Sequence, residues 1–147
     1  MTVTGAVQAA GATIGGVLDL QGATLTNTGG TALQLGRAQI KGHALLNRVV
    51  VTGAVRAPAA TIGNQLVLED ATLTNPGGEA LELSLSEIKN GVILNLAKVS
   101  GELRAPAATI GGQFDLEGAT LTNQASDALV LQSARLSEVW LLPAAWV

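Results

Sequence analysis

The sequence contains no cysteine, so neither a disulfide framework nor a thiolate metal site can be built from it. It also has no tyrosine, and only three aromatic residues among 147: Phe114, Trp140 and Trp146. A mixed globular core of this length normally carries many more rings. His43 is the single histidine, which removes histidine-pair catalysis and most zinc constellations. Charge is scarce as well, at 13% of residues, and the balance of 8 basic against 11 acidic side chains leaves a net −3. That balance announces neither a nucleic-acid surface nor an acidic tail. No window of about 18 apolar residues escapes interruption by Gly, Thr, Asn or Asp, so no membrane span is expected. The start, MTVTGAVQAAGATIGG, lacks the basic segment and unbroken apolar stretch of a signal peptide, and the default compartment is the cytoplasm. Yet 48% of the chain is apolar and its mean hydropathy is +0.40, which excludes disorder and demands a large buried surface.

What the chain has instead is repetition. RAPAATIG stands at 56–63 and again at 104–111, and GATLTN at 22–27 returns as DATLTN at 70–75 and GATLTN at 118–123. The offset is 48 each time, which divides the chain, read as one domain over 1–147, into units at 3–50, 51–98 and 99–146. Each unit holds two half-repeats. Anchors at Ile14, Ile40, Ile62, Ile88, Ile110 and Leu136 are spaced alternately 26 and 22 residues apart. Four residues after each anchor stand Leu18, Ala44, Leu66, Val92, Phe114 and Trp140, and six after stand Leu20, Leu46, Leu68, Leu94, Leu116 and Leu142. The ninth position holds Ala or Val (Ala23, Val49, Ala71, Ala97, Ala119, Ala145), and the eleventh holds Leu25, Val51, Leu73, Val99, Leu121 and Val147. Val3 begins that last row upstream.

Steps of 4, 2, 3 and 2 keep no 3.6-residue period, so these rows are not helix faces. Leu-x-Leu and Ala-x-Leu pairs have the period of two that turns alternate strand residues inward. Each half-repeat therefore reads as one coil of an all-β, right-handed parallel β-helix: a four-sided solenoid of about six coils, alternating 22 and 26 residues. The longer coils differ by a four-residue expansion, as in Asn27-Thr-Gly-Gly and Asn75-Pro-Gly-Gly, with Asn123-Gln-Ala-Ser in the third. A narrow interior filled by Ile, Leu, Val and Ala accounts for the missing rings.

The small residue two before a central Leu or Ile, as in Ala60-Thr-Ile, Ala71-Thr-Leu, Ala119-Thr-Leu and Ala134-Arg-Leu, resembles the bacterial pentapeptide-repeat proteins. Those are four-sided right-handed β-helices, and some bind topoisomerases by imitating DNA with a strongly acidic surface. The chain also resembles AxIxGxLxLxGAxL solenoids of bacterial proteins without an assigned role, some labelled membrane-associated oxidoreductases. It departs from the pentapeptide pattern in its steps of six, such as Ile110 to Leu116, and in the long-coil expansions.

Candidate chemistry is sparse. His43 falls at an outward position and reads as a surface residue rather than a base. Asp19 and Asp115 share a column but stand four coils apart, about 19 Å at the strand spacing, too far for a glycosidase pair. No catalytic residue, metal ligand or cofactor is expected. Alternation places Leu45, Val67 and Ile93 in one outward apolar stripe, about 10 Å long, that would suit a protein partner. Paired outward threonines flank the eleventh-position row: Thr2/Thr4, Thr24/Thr26, Thr72/Thr74 and Thr120/Thr122, with Val50/Thr52 and Lys98/Ser100 between them. Such a ladder resembles the ice-binding face of some antifreeze proteins. Solenoid ends leave strand edges unpaired, and Trp140, Leu142 and Trp146 are placed to act as a cap or a dimer contact. The resulting expectation is a non-enzymatic structural or protein-interaction solenoid, self-associating through a coil end, with a homo-oligomeric or unidentified protein partner and no nucleic acid. A lattice-binding threonine face and a topoisomerase-binding role are the alternatives.

Overall fold

The chain stacks into a parallel β-solenoid of about six turns, described by a computed structural model over residues 1–140 and 145–146. Among these residues there is no helix, and so none long and apolar enough to cross a membrane. Every strand pairing is parallel, and the strands collect into two sheets of nine and ten strands. Wall A holds Thr2–Thr4, Thr24–Gln34, Val50–Arg56, Thr72–Glu82, Lys98–Arg104 and Thr120–Thr122, each one coil from the next. Wall B carries two ladders, one through the anchors and one through the positions four and five residues later.

The register reproduces the sequence rows. Ile14, Ile40, Ile62, Ile88, Ile110 and Leu136 are consecutive partners along one ladder. Val3, Leu25, Val51, Leu73, Val99 and Leu121 are partners along another. Between the first and last coils their side chains are fully enclosed, with Leu25 and Leu121 at 0% exposure and Ile40 at 2%, while Leu136 is partly buried. Phe114, the one phenylalanine, is equally buried in the row four after the anchors. A further row through Val7, Leu33, Val55, Leu81, Leu103 and Leu129 closes the far side of wall A.

Corners explain the alanine rows. Eleven times among the described residues an amide bonds the carbonyl three residues earlier, as Ala23 to Leu20, Ala60 to Ala57 and Ala108 to Ala105. The third residue of each of these turns has positive φ, as type II turns require. Its own amide points along the solenoid axis: Gly22 donates to Asn47, Arg48 to Glu69, Asp70 to Asn95 and Leu96 to Glu117, at 2.8–3.0 Å. The fourth residue faces the interior where the chain bends, a confined place that alanine fills in nine of these turns and Val49 in one. Ser86 replaces alanine there and satisfies its buried hydroxyl by donating to the Leu83 carbonyl at 2.7 Å.

The long coils absorb their extra residues at one place. Residues 27–30 stand opposite Gly53 alone, between the pairs Thr26–Thr52 and Thr31–Ala54. Residues 75–78 stand likewise opposite Gly101. At the base of each expansion an asparagine amide bonds a carbonyl four residues on: Asn27 to Thr31, Asn75 to Glu79 and Asn123 to Asp127, at 2.8–3.0 Å.

The last coil departs from the expected register. Leu136 pairs with Ile110, but Ser137 alone then spans what Gly111 and Gly112 occupy one coil earlier, so Phe114 faces Val139 and Asp115 faces Trp140. Downstream, Leu121 faces Trp146 rather than Val147. The expected core place of Trp140 is thus taken by Val139, and Trp140 lies outward at 41% exposure.

Three substitutions test this arrangement. Leu85 is a bulky side chain at a positive-φ turn position, 63% exposed, where glycine has no steric penalty. Leu85→Gly should stabilise the fold by about 0.5–1 kcal/mol, read as a higher urea midpoint. Gly101 (φ +124°) lies where an added methyl would stand 2.5 Å from the Asn75 carbonyl oxygen, whereas Gly77 (φ +77°) has open space. Gly101→Ala should therefore cost about 3 kcal/mol and Gly77→Ala about 1 kcal/mol in the same assay.

Candidate functional site

Wall A concentrates the features that depart from a plain apolar solenoid. Its outer surface bears two hydroxyl-rich columns. Thr2, Thr24, Val50, Thr72, Lys98 and Thr120 are consecutive partners, as are Thr4, Thr26, Thr52, Thr74, Ser100 and Thr122. The second column carries a hydroxyl on six successive strands, at the strand spacing of about 4.8 Å. It runs along the feet of the three expansions. These stand on alternate coils and so form a row of projections about 10 Å apart.

Beyond the expansions lies a charged cluster. Gln34, Arg56, Glu82 and Arg104 follow one another along one ladder, and Glu79 pairs with Glu102 on the next. Stacking at strand spacing would place like charges in contact, and the alternation Arg56, Glu82, Arg104 avoids this. Arg104 bonds Glu102 at 2.8 Å, which holds the guanidinium in its charged form. Glu82 is buried, its Oε1 accepting from the Ser84 amide at 2.6 Å and from the Ser84 hydroxyl. Glu79 approaches Arg56 at 3.4 Å, but the buried Oε2 that makes this approach lacks hydrogen-bond geometry to any partner among the described residues. Burial, reinforced by the neighbouring Glu82, raises the Glu79 carboxyl above the usual range against the opposing pull of Arg56 and Arg104.

The expected contact residues fare unequally. Leu45, Val67 and Ile93 are brought together as direct partners on wall B, as the alternation implied. Val67 is only 9% exposed, however, while Leu45 and Ile93 are half-buried, so the stripe is not the open apolar surface expected. Trp140 lies at the outer end of that same column, beyond Asp115, and its indole N–H bonds Glu138. Leu142 lies outside the described residues, and Trp146 is placed by its backbone pairing alone.

The candidate reactive groups act on the backbone. His43 is half-buried, and its one hydrogen bond among the described residues accepts the Gln65 amide at 3.4 Å. Asp19 and Asp115 each accept the amide two residues on, from Gln21 and Glu117, at 3.0 and 2.9 Å. They brace turns four coils apart. Among the described residues no group of three or more His, Cys, Asp or Glu side chains could hold a metal ion. No family model, no curated protein and no solved structure matches this chain.

The apolar rows of the repeat point to neither the asparagine clamps nor the Arg–Glu alternation. The clamp signal was present, an asparagine recurring at 27, 75 and 123. The charge alternation has no such signal, because its members fall in coils of different length and align only once the expansions are looped out.

Glu79 supplies a pH test. Its carboxyl titrates higher in the folded chain than in the unfolded one, so ionisation opposes folding. The destabilisation is present above the folded pKa and disappears as pH falls through that value toward the ordinary glutamate range. Glu79→Gln should raise Tm slightly at neutral and alkaline pH, and the difference should close on acidification; a pH series of thermal melts reads it.

Proposed function

We propose that the chain is a non-enzymatic β-solenoid scaffold that self-associates by adding a coil to its first-coil edge. The observation carrying this reading is the state of the apolar rows at that edge. Val3, Val7, Ile14, Leu18 and Leu20 are only partly buried, whereas their row partners one coil on, Leu25, Leu33, Ile40, Ala44 and Leu46, are enclosed at 0–2% exposure. Among the described residues the strands Thr2–Thr4, Thr13–Ile14 and Leu18–Asp19 each have a neighbour on one side. A second copy offers both missing elements, strand hydrogen bonds and apolar rows at matching spacing.

Light scattering coupled to size exclusion checks this directly. The 147-residue chain should show a mass above the monomer that grows with concentration, and Ile14→Lys, which puts a charge into the edge row, should return it to monomer. A strict monomer across the concentration range would overturn self-association.

A second reading, a wall that binds an ordered lattice such as ice, is favoured by the unbroken hydroxyl column from Thr4 to Thr122. Thermal hysteresis of the pure protein tests it, and its absence at high concentration removes it. The topoisomerase-binding alternative implied by resemblance draws no support from wall A, where arginines interrupt the acidic residues.

A further inference from the structure

The expansions do more than lengthen alternate coils. Where the second and third project, the short coil between them contributes only Ser100 and Gly101 as a floor, and a slot of about 580 Å³ opens there. That volume lies in the range of small-ligand sites. It is lined by Thr74, Ser100 and Thr122 below and by Pro76 and Gln124 on the two sides. The slot follows from the 26/22 alternation, because a coil without an expansion sits between two that have one. Gly101 keeps the floor low, since any side chain there would collide with the Asn75 carbonyl.

Its chemistry selects a class of ligand. No charged side chain lines it, so neither a phosphate nor a metal cation has a counter-charge there. No aromatic ring lines it, so a planar base has nothing to stack on. It offers instead three hydroxyls at successive strand spacings, each able to donate and accept, together with the Gln124 amide. These groups are only weakly engaged internally. Thr122 reaches the Val99 carbonyl and the Ser100 hydroxyl only at 3.4 and 3.5 Å, the weak limit of a hydrogen bond. Thr74 and Gln124 make no side-chain hydrogen bond among the described residues. The groove on wall B lacks this character, for Glu87 and Lys89 both line it.

We infer that the slot between the second and third expansions binds a short, neutral saccharide. Sugar hydroxyls match side chains that donate and accept at once, and the Pro76 ring with the threonine methyl groups suits the C–H face of a sugar ring. The site has no acid–base pair and binds without reaction. It stands independently of the end-to-end association proposed above, because it uses the side of the solenoid.

The test is a titration of the ¹⁵N-labelled full chain with cellotetraose and, separately, maltotetraose at millimolar concentration, followed by amide shifts. At least one sugar should move the amides of Thr74, Gly77, Ser100, Gly101 and Gln124 saturably while those of wall B stay in place. The double variant Ser100→Val, Thr122→Val should bind about tenfold more weakly with its melting curve preserved, since valine suits a strand. Gln124→Ala, on the exposed expansion, should weaken binding several-fold and serves if the double variant is destabilised. Sedimentation with insoluble cellulose and with starch granules distinguishes a polymer source from a free oligosaccharide. The inference is overturned if neither sugar gives saturable shifts, if the variants bind as tightly as the parent, or if inorganic phosphate moves the same amides equally.

Discussion

Outside the expansions, the strand residues of the inner coils lie directly over those of the preceding coil and under those of the next, at the strand spacing of about 4.8 Å. That stacking is the constraint on which the rest depends. A side chain must be compatible with its own kind above and below, and a backbone amide must find a carbonyl along the axis. Apolar rows meet the first demand without cost, and small and branched aliphatics fill the narrow interior at the density of a packed core. The turns meet the second, since at nine corners among the described residues the left-handed residue directs its amide to the next coil. Where charge enters the stack it alternates in sign along one ladder, as Arg56, Glu82 and Arg104 do, is paired across ladders, as the facing Glu79 and Glu102 are with Arg56 and Arg104, or braces the backbone, as Asp19 and Asp115 do.

The same constraint decides where irregularity is tolerated. Extra residues cannot lie within a row without displacing every later one, so the long coils loop them out at a single corner and clamp the loop with an asparagine. The facing coil answers with glycine, the one residue whose lack of a side chain lets the loop carbonyls come close. Function in such a fold is confined to what protrudes or what is left uncovered: the projections with the slots between them, and the rows at a coil edge.

Much of this was legible before any coordinates. Parallel in-register stacking converts a spatial column into residues at a constant sequence offset, so the ladder from Ile14 to Leu136 and the one from Val3 to Leu121 can be read directly. The left-handed corners were less visible, because several are held by Arg37, Arg48, Leu85 and Leu96 rather than by glycine. There the axial hydrogen bond and the packing on either side override the local preference of the residue. The burial of Val67 was likewise hidden, since alternation states which way a side chain points but not how closely its neighbours shield it.

The sequence by itself determined the repeat, the parallel stack, the interior rows and the position of the expansions, because each is a periodic property of one chain. Only the tertiary structure decided the register of the last coil, where Ser137 stands in for two glycines and turns Trp140 outward. It also decided the pairing of charges across coils of unequal length and the slot between the projections. These depend on which residues of different coils meet, and a single looped-out or missing residue changes that meeting while leaving the sequence pattern almost unaltered.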